Sequence, residues 1–286
     1  MDNLTNINTV KELLNKYGFT FSKGLGQNFI VNPSVCPKMA ELSTASGIGV
    51  IEIGPGFGVL TNELCKIAKK VVAIEVDKRL LPVLSETLCE YDNLKIVNAD
   101  VLELDIQKLI DDEFPDMDVV VCANLPYYIT SPVIMKLLEE KSRIKSLTVM
   151  VQKEAAQRIC AEVGTRECGA VTVSVHYYSK PEYLFSVSKG SFMPSPKVDS
   201  AVIKLDILDT PNVVVKDEKT FFKVVRASFS QRRKTIVNAL SAGLNLDKSV
   251  IFDILKMSNV DSMLRGEKLT LDDFAKISDL IYEKTL

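Results

Sequence analysis

From about residue 46 to residue 152 the chain alternates short apolar runs with longer segments of helical period. "VIEIG" (50–54), "VVAIEV" (71–76), "LKIVNA" (94–99), "DVVVCAN" (118–124) and "SLTVMVQ" (146–152) predict strands. They are near-continuously apolar, as strands of a parallel sheet covered on both faces are. Between them, "VLTNELCKIAKK" and "KRLLPVLSETLCEY" predict helices, and in the second Leu80, Leu81, Leu84 and Leu88 fall on one side. This alternation predicts a doubly wound α/β sheet.

After residue 168 the pattern changes. "AVTVSVHYYSK", "EYLFSVS" and "DSAVIKLDIL" predict three strands with no long helix between them, an antiparallel or mixed edge. From about residue 210 the chain reads helical to its end, through "DEKTFFKVVRASFS", "KTIVNALSAG", "KSVIFDILKMS" and "TLDDFAKISDLIYEK". "DTPNVVVKD" (209–217) reads as the linker. The expected organisation is an α/β domain over residues 1–209 and a small all-helical domain over residues 210–286.

Composition narrows the function classes. No apolar run approaches the length of a membrane span. The opening "MDNLTNINTVKELLNKYG" lacks the basic-then-apolar order of a signal peptide, so a cytoplasmic protein with no membrane partner is expected. Six cysteines without a CxxC pair fit reduced core thiols rather than disulfides or a metal site. The single histidine, His176, lies in a predicted apolar strand with no second ligand at metal spacing and reads as structural. There is no P-loop and no G-x-S-x-G elbow. With a net charge of −2, any polyanion must be met by a local concentration of bases.

Candidate chemistry collects at the strand ends. "EIGPGFGVL" (52–60) puts Gly54, Gly56 and Gly58 directly after the first strand. Their G-x-G-x-G spacing departs from the G-x-G-x-x-G of dinucleotide binders and weakens a nicotinamide reading. Glu75 ends the second strand, where a carboxylate can accept from both ribose hydroxyls of a nucleoside cofactor. Asp100 follows the third strand, placed to accept from an adenine amino group. The fourth strand ends in Asn124, Leu125, Pro126 and Tyr127. An exocyclic amine on a base is a poor nucleophile, because its lone pair is delocalised into the ring. A side-chain carbonyl from Asn124 and a main-chain carbonyl fixed by Pro126 can accept its two N–H bonds, directing the lone pair at an electrophile. The ring of Tyr127 can stack on the base, typically worth about 1–3 kcal/mol.

Taken with these residues, the chain resembles the small-subunit ribosomal RNA adenine dimethyltransferases, class I methyltransferases that use S-adenosylmethionine. The resemblance rests on "GQNFI" (26–30), "EIGPGFGVLT" (52–61), "EVD" (75–77), "NAD" (98–100), "NLPYYI" (124–129), "QKE" (152–154), "FMPSPKVDSA" (192–201), "FSQRRKT" (229–235) and "RGEKLT" (265–270), in that order. It implies a Rossmann-like methyltransferase sheet followed by a small C-terminal helical domain. It also implies that Asn28 and Ile30 contact the cofactor, that Gly54 lies against its methionine part, and that Glu75 and Asp100 hold ribose and adenine. Asn124 would sit between methyl donor and target amine, with Tyr127 and Phe192 on the two faces of the base. Tyr128 has a weaker claim, since many relatives carry asparagine there. Ile30 stands where leucine is usual, and Cys168 where tyrosine is frequent.

"RASFSQRRKTIVNAL" (226–240) holds Arg226, Arg232, Arg233 and Lys234 with no acid in the window. Such a cluster tracks phosphates, and with the resemblance it is expected to contact ribosomal RNA in an immature small subunit, the protein acting as a monomer. Three other readings stand beside this one. They are a large-subunit methyltransferase of the macrolide-resistance type, a non-catalytic RNA-binding assembly factor on the same fold, and, more distantly, a nicotinamide dehydrogenase. "FSQRRKT" and "RGEKLT" favour the small-subunit group over the first, and the intact Glu75, Asp100 and Asn124 count against the second.

Overall fold

The computed structural model describes residues 4–18, 27–231 and 233–285. Gly26 of "GQNFI" and Arg232 lie outside these. The chain divides into two compact units, residues 1–156 with 182–207, and residues 157–181 with 208–286.

The first unit is built on a seven-stranded sheet. In chain order its strands are β1 (Gly49–Ile53), β2 (Lys70–Glu75), β3 (Leu94–Asn98), β4 (Val119–Asn124), β5 (Ile144–Gln152), β6 (Ser179–Val187) and β7 (Ser200–Ile207). Their spatial order is β3-β2-β1-β4-β5-β7-β6. β1 to β5 pair in parallel, and β7 runs antiparallel to β5. All five residues of central β1 are buried, whereas β3 at the edge alternates between half-buried and exposed positions. This is why β1 is apolar throughout and β3 is not.

Helices α1 (Ile7–Lys16), α2 (Val35–Ser43), α3 (Val59–Ile67), α4 (Leu81–Thr87), α5 (Ile106–Glu113) and α6 (Thr130–Glu139) accompany the sheet. Residues of α2 and α3, such as Met39, Leu60 and Leu64, share one core with Val50, Val71, Val120 and Met150. The leucine stripe around α4 is adjusted by the structure. Leu80, Leu84 and Leu88 are buried as expected, but Val83 takes the remaining core place and Leu81 is half-buried. Two further residues of each segment, Phe29–Ile30 and Phe192–Met193, form a separate antiparallel ribbon.

Helix α7 (Lys153–Ile159) passes from the first unit into the second. The second unit is helical, with α8 (Ala170–Tyr178), α9 (Glu218–Phe229), α10 (Ile236–Leu244), α11 (Lys248–Met257) and α12 (Leu271–Thr285). Here one expectation fails, because "AVTVSVHYYSK" supplies α8 and not a strand. Thr172 is the reason at the helix start: its hydroxyl accepts the Gly169 N–H at 2.9 Å and donates to the Arg158 carbonyl at 2.7 Å. Packing supplies the rest. Tyr177 lies against Phe221 with centroids 4.8 Å apart, and Tyr178 stacks on Phe222 at 5.5 Å. His176 is therefore helical, and its Nε2 meets the Ala161 carbonyl at 2.9 Å. Burial lowers its pKa, consistent with a structural residue.

Gly243 on α10 lies so close to α9 that an added Cβ would sit 2.6 Å from the Cβ of Ala227 and 2.8 Å from its Cα. Gly243→Ala should therefore lower stability by about 1–3 kcal/mol, read as a lower urea midpoint. An unchanged midpoint would show that the two helices separate freely.

Candidate active site

Parallel register sets the site. Ile53 lies opposite both Ile74 and Ala123, and Glu75 lies opposite Asn98. One step beyond Ile53, Gly54, Glu75, Asn98 and Asn124 thus fall in one row at the carboxyl ends of β1 to β4. The Gly54 N–H continues the ladder to the Ile74 carbonyl at 2.9 Å, and the Asn98 side chain ties β3 to the Glu75 carbonyl at 2.7 Å. A crevice outside such strand ends is where open α/β sheets bind ligands.

A cavity of about 280 Å³ opens there, lined by Asn28, Ile30, Gly54, Glu75, Asp100, Asn124 and Tyr127 among others. Six sequence-predicted cofactor residues are thereby brought together. Gly54 has φ +70°, and an added Cβ would meet nothing within 4 Å, so the backbone is open towards a ligand. At Gly56 an added Cβ would instead strike the Phe29 ring at 2.9 Å. Phe29 is stacked on Phe57 of the glycine loop, with centroids 4.1 Å apart, so the N-terminal ribbon is clamped to that loop. Gln27 adds a second tie, donating to Asp77 at 2.9 Å.

The acids differ in their surroundings. Glu75 is buried, and its Oε1 accepts the Asp77 N–H at 2.8 Å. Burial raises its pKa, partly offset by backbone N–H groups of Asp77, Gly56 and Val76. Asp77 moves the other way, held low chiefly by the Arg79 side chain. Asp100 accepts the Leu102 N–H at 2.8 Å, which fixes its carboxylate at the cavity wall.

Glu52 is the site residue that sequence reasoning missed, although an acid inside "VIEIG" was a visible signal. It shares its sheet face with Val50, beneath α2 and α3, and is 1% exposed. Its Oε2 has no hydrogen-bond partner among the described residues, and burial pushes its pKa from 4.5 up to about 8. The Phe29–Phe57 stack and the Gln27–Asp77 bond were also missed, because each joins positions far apart in the chain.

At the corner after β4, the Asn124 Nδ2 donates to the Asn28 carbonyl at 3.3 Å. That fixes the amide and leaves Oδ1 free to accept, since no described residue donates to it. Pro126 makes a turn closed by Ile129 N–H to the Pro126 carbonyl at 3.1 Å. No described residue donates to the Leu125 carbonyl either. Tyr127 is half-buried, and its hydroxyl meets Ser200 Oγ at 2.8 Å. Tyr128 is 58% exposed at the cavity edge. Phe192 is placed differently from these: it is 5% exposed, pairs with Ile30 across the ribbon, joins the core under α2 and α3, and is absent from the cavity lining.

The wall chemistry selects a class of cofactor. Glu52, Glu75 and Asp100 line the cavity, and no lysine or arginine does so among the described residues. Glu75 and Asp100 stand where a nucleoside's ribose hydroxyls and adenine amino group can donate to them, and with no cation among the described residues of the wall the cavity suits a cationic sulfonium. These residues fit S-adenosylmethionine.

The profile of the ribosomal RNA adenine dimethylase family matches residues 18–282. The chain belongs to this family. A "Ribosomal RNA small subunit methyltransferase A" from Alkaliphilus oremlandii is 47% identical over 99% of this chain and 100% of its own length. One of the same name from Bacillus licheniformis is 46% identical over 96% of each. Among solved structures, a dimethyladenosine transferase from Plasmodium falciparum superposes with TM-score 0.74 at 27% identity, over 90% of this chain and 98% of that one. The 23S rRNA methyltransferase ErmE superposes with TM-score 0.68 at 25% identity, over 89% and 100%. The adenine dimethylase fold is thus the Rossmann-like sheet with a helical C-terminal part that the sequence led us to expect.

In the second unit, Arg226 ends α9, and Arg233 and Lys234 lie in the turn before α10, all three exposed. None of them forms an ion pair among the described residues, so they remain available to an anion. Arg232 falls outside those residues. Phe221, Phe222 and Val225 are buried on α9, while Phe229 is half-buried against Phe274.

Glu52 gives a pH test. The unfolded chain ionises this carboxyl above pH 4.5, but the folded one only above about 8. Between those values the folded state holds the extra proton, so stability is full at the acid end and falls as pH rises, by about 1.4 kcal/mol per unit. Glu52→Gln removes this slope. Urea unfolding from about pH 5 to pH 8 should show the variant gaining steadily on the parent protein. A gap that does not change with pH would contradict the assignment.

Proposed function

We propose that this adenine dimethylase transfers methyl groups from S-adenosylmethionine to N6 of two adjacent adenosines near the 3′ end of small-subunit ribosomal RNA. The observation that carries the reading is the Asn124 amide. It is held from one side by the Asn28 carbonyl, and its Oδ1 is left to accept beside the unused Leu125 carbonyl. When bound, S-adenosylmethionine supplies an electrophilic methyl group on a sulfonium centre. Gly54 would meet its methionine part, Glu75 its ribose and Asp100 its adenine, with Asn28 and Ile30 closing the cavity from the ribbon.

The target base must leave its stack, at a cost of a few kcal/mol that is smaller in a loop. Asn124 Oδ1 and the Leu125 carbonyl then accept the two N6 hydrogens, drawing the nitrogen lone pair out of conjugation. Tyr127 takes one face of the base. Phe192 can take the other only if its ring leaves the core in which it is packed. No general base is required, because the methylated ammonium is acidic and releases its proton to water.

The 47% identity to proteins named for the small subunit favours that RNA over the large-subunit alternative. The likeness to ErmE at 25% identity supports shared chemistry. The intact Glu75, Asp100 and Asn124 at the cavity speak against a non-catalytic RNA-binding assembly factor. In this reading, residues 1–209 hold donor and target while residues 210–286 hold RNA. The substrate is an immature subunit, and the protein works as a monomer in the cytoplasm. Among the described residues no helix is long and apolar enough to cross a membrane.

With labelled methyl donor and undermethylated small subunits, Asn124→Ala should lose at least about a thousandfold in methylation while binding RNA normally. Loss of RNA binding as well would contradict the division of roles. Arg233→Ala and Lys234→Ala should weaken subunit binding and each lower the slope of log K against log salt by about 0.7–0.9. Unchanged salt slopes would remove them from the interface.

A further inference from the structure

Half of the buried serines among the described residues satisfy themselves locally. Ser43, Ser179, Ser228, Ser258 and Ser278 each donate to a carbonyl three or four residues earlier. Ser200 does not. It is the first residue of β7, has 0% exposure, and its hydroxyl reaches the Tyr127 hydroxyl at 2.8 Å.

The backbone on both sides of Ser200 is fixed. It lies in register with Gln152 at the end of β5. The Asp199 carbonyl accepts the Lys153 N–H at 3.0 Å, and Asp199 Oδ1 accepts the Lys189 N–H at 2.9 Å. Tyr127, for its part, leaves a turn stiffened by Pro126 and closed by the Ile129 N–H. A tyrosine held at its Cα by a turn and at its hydroxyl by a buried anchor has its long axis pinned at both ends. The in-plane preference of a phenolic hydrogen bond then restricts rotation of the ring about that axis. Burial also raises the Tyr127 pKa, keeping the phenol in the form that shares a proton with Ser200.

We propose that Ser200 is a positioning residue for methyl transfer, setting the plane of the Tyr127 ring so that its face meets the target base. This rests on the reading that Tyr127 stacks on that base. Ser200 touches neither donor nor RNA in this assignment and acts only through the tyrosine. Misplacing a stacking ring by a fraction of an ångström costs rate rather than donor affinity, since near-attack geometry is what the ring maintains.

The test is single-turnover methylation of undermethylated small-subunit particles, with donor affinity measured by calorimetry. Ser200→Ala, Tyr127→Phe, their double variant, Ser200→Thr and Tyr127→Ala are compared. Ser200→Ala and Tyr127→Phe should each slow methylation about tenfold, the effect of one lost hydrogen bond, with donor Kd within about twofold of the parent. The double variant should be no slower than either single one, and Ser200→Thr, which restores the hydroxyl, should recover most of the rate. A full rate for Ser200→Ala while Tyr127→Ala is crippled would overturn the proposal and leave the stacking reading standing. A full rate for Tyr127→Ala would overturn both. Multiplying effects in the double variant, or loss of donor binding that threonine fails to restore, would reduce Ser200 to a general structural residue and likewise overturn it.

Discussion

The register of four parallel strands is the constraint on which the rest of the molecule depends. Because β1 to β4 are hydrogen-bonded neighbours in spatial order β3-β2-β1-β4, Gly54, Glu75, Asn98 and Asn124 must end in one row. A slip of one residue in any strand would reverse its side chains and send its terminal polar group to the other face. The strand ends hold the register, through the Gly54 N–H to the Ile74 carbonyl and the Asn98 side chain to the Glu75 carbonyl. The paired strands thus set the positions of a glycine, two amides and a carboxylate that come from four separate parts of the chain.

Onto this row the N-terminal ribbon is added from outside the sheet. The Phe29–Phe57 stack fastens it to the glycine loop, Gln27 to Asp77, and the Asn28 carbonyl to Asn124. The last of these contacts links the proposed catalytic corner to the cavity. The Asn28 carbonyl takes one of the two Nδ2 hydrogens and so orients the amide, while Oδ1 accepts from no described residue. The same ribbon holds Ile30 at the cavity and pairs it with Phe192. In the proposed reading, ordering of the donor site and of the target site is therefore shared through a few aromatic and amide groups.

Much of this was legible in the sequence. Parallel strands announce themselves as apolar runs, and the polar residues that terminate them, Glu75, Asp100 and Asn124, follow directly as candidates. Contacts across long sequence separations were not legible. Nothing local in "GQNFI" says that Asn28 turns its carbonyl to Asn124, 96 positions on, or that Phe29 lies on Phe57. The segment 170–178 misled because Val171, Val173 and Val175 alternate with Thr172, Ser174 and His176, which is the period of a half-buried strand. Its helix is decided by Thr172 at the start and by aromatic packing on α9, both invisible to periodicity. Phe192 shows the reverse case, a residue whose resemblance-implied place at the base differs from its buried position beside Ile30.

The central claim is that the row at the strand ends holds the methyl donor while the Asn124 corner presents an adenine N6 of small-subunit RNA. Mass spectrometry of nuclease-digested ribosomal RNA, from undermethylated small and large subunits each incubated with the protein and S-adenosylmethionine, tests it most directly. The account predicts N6,N6-dimethyladenosine at two neighbouring positions of the small-subunit RNA alone. Modification confined to large-subunit RNA, or to an atom other than adenine N6, would contradict it.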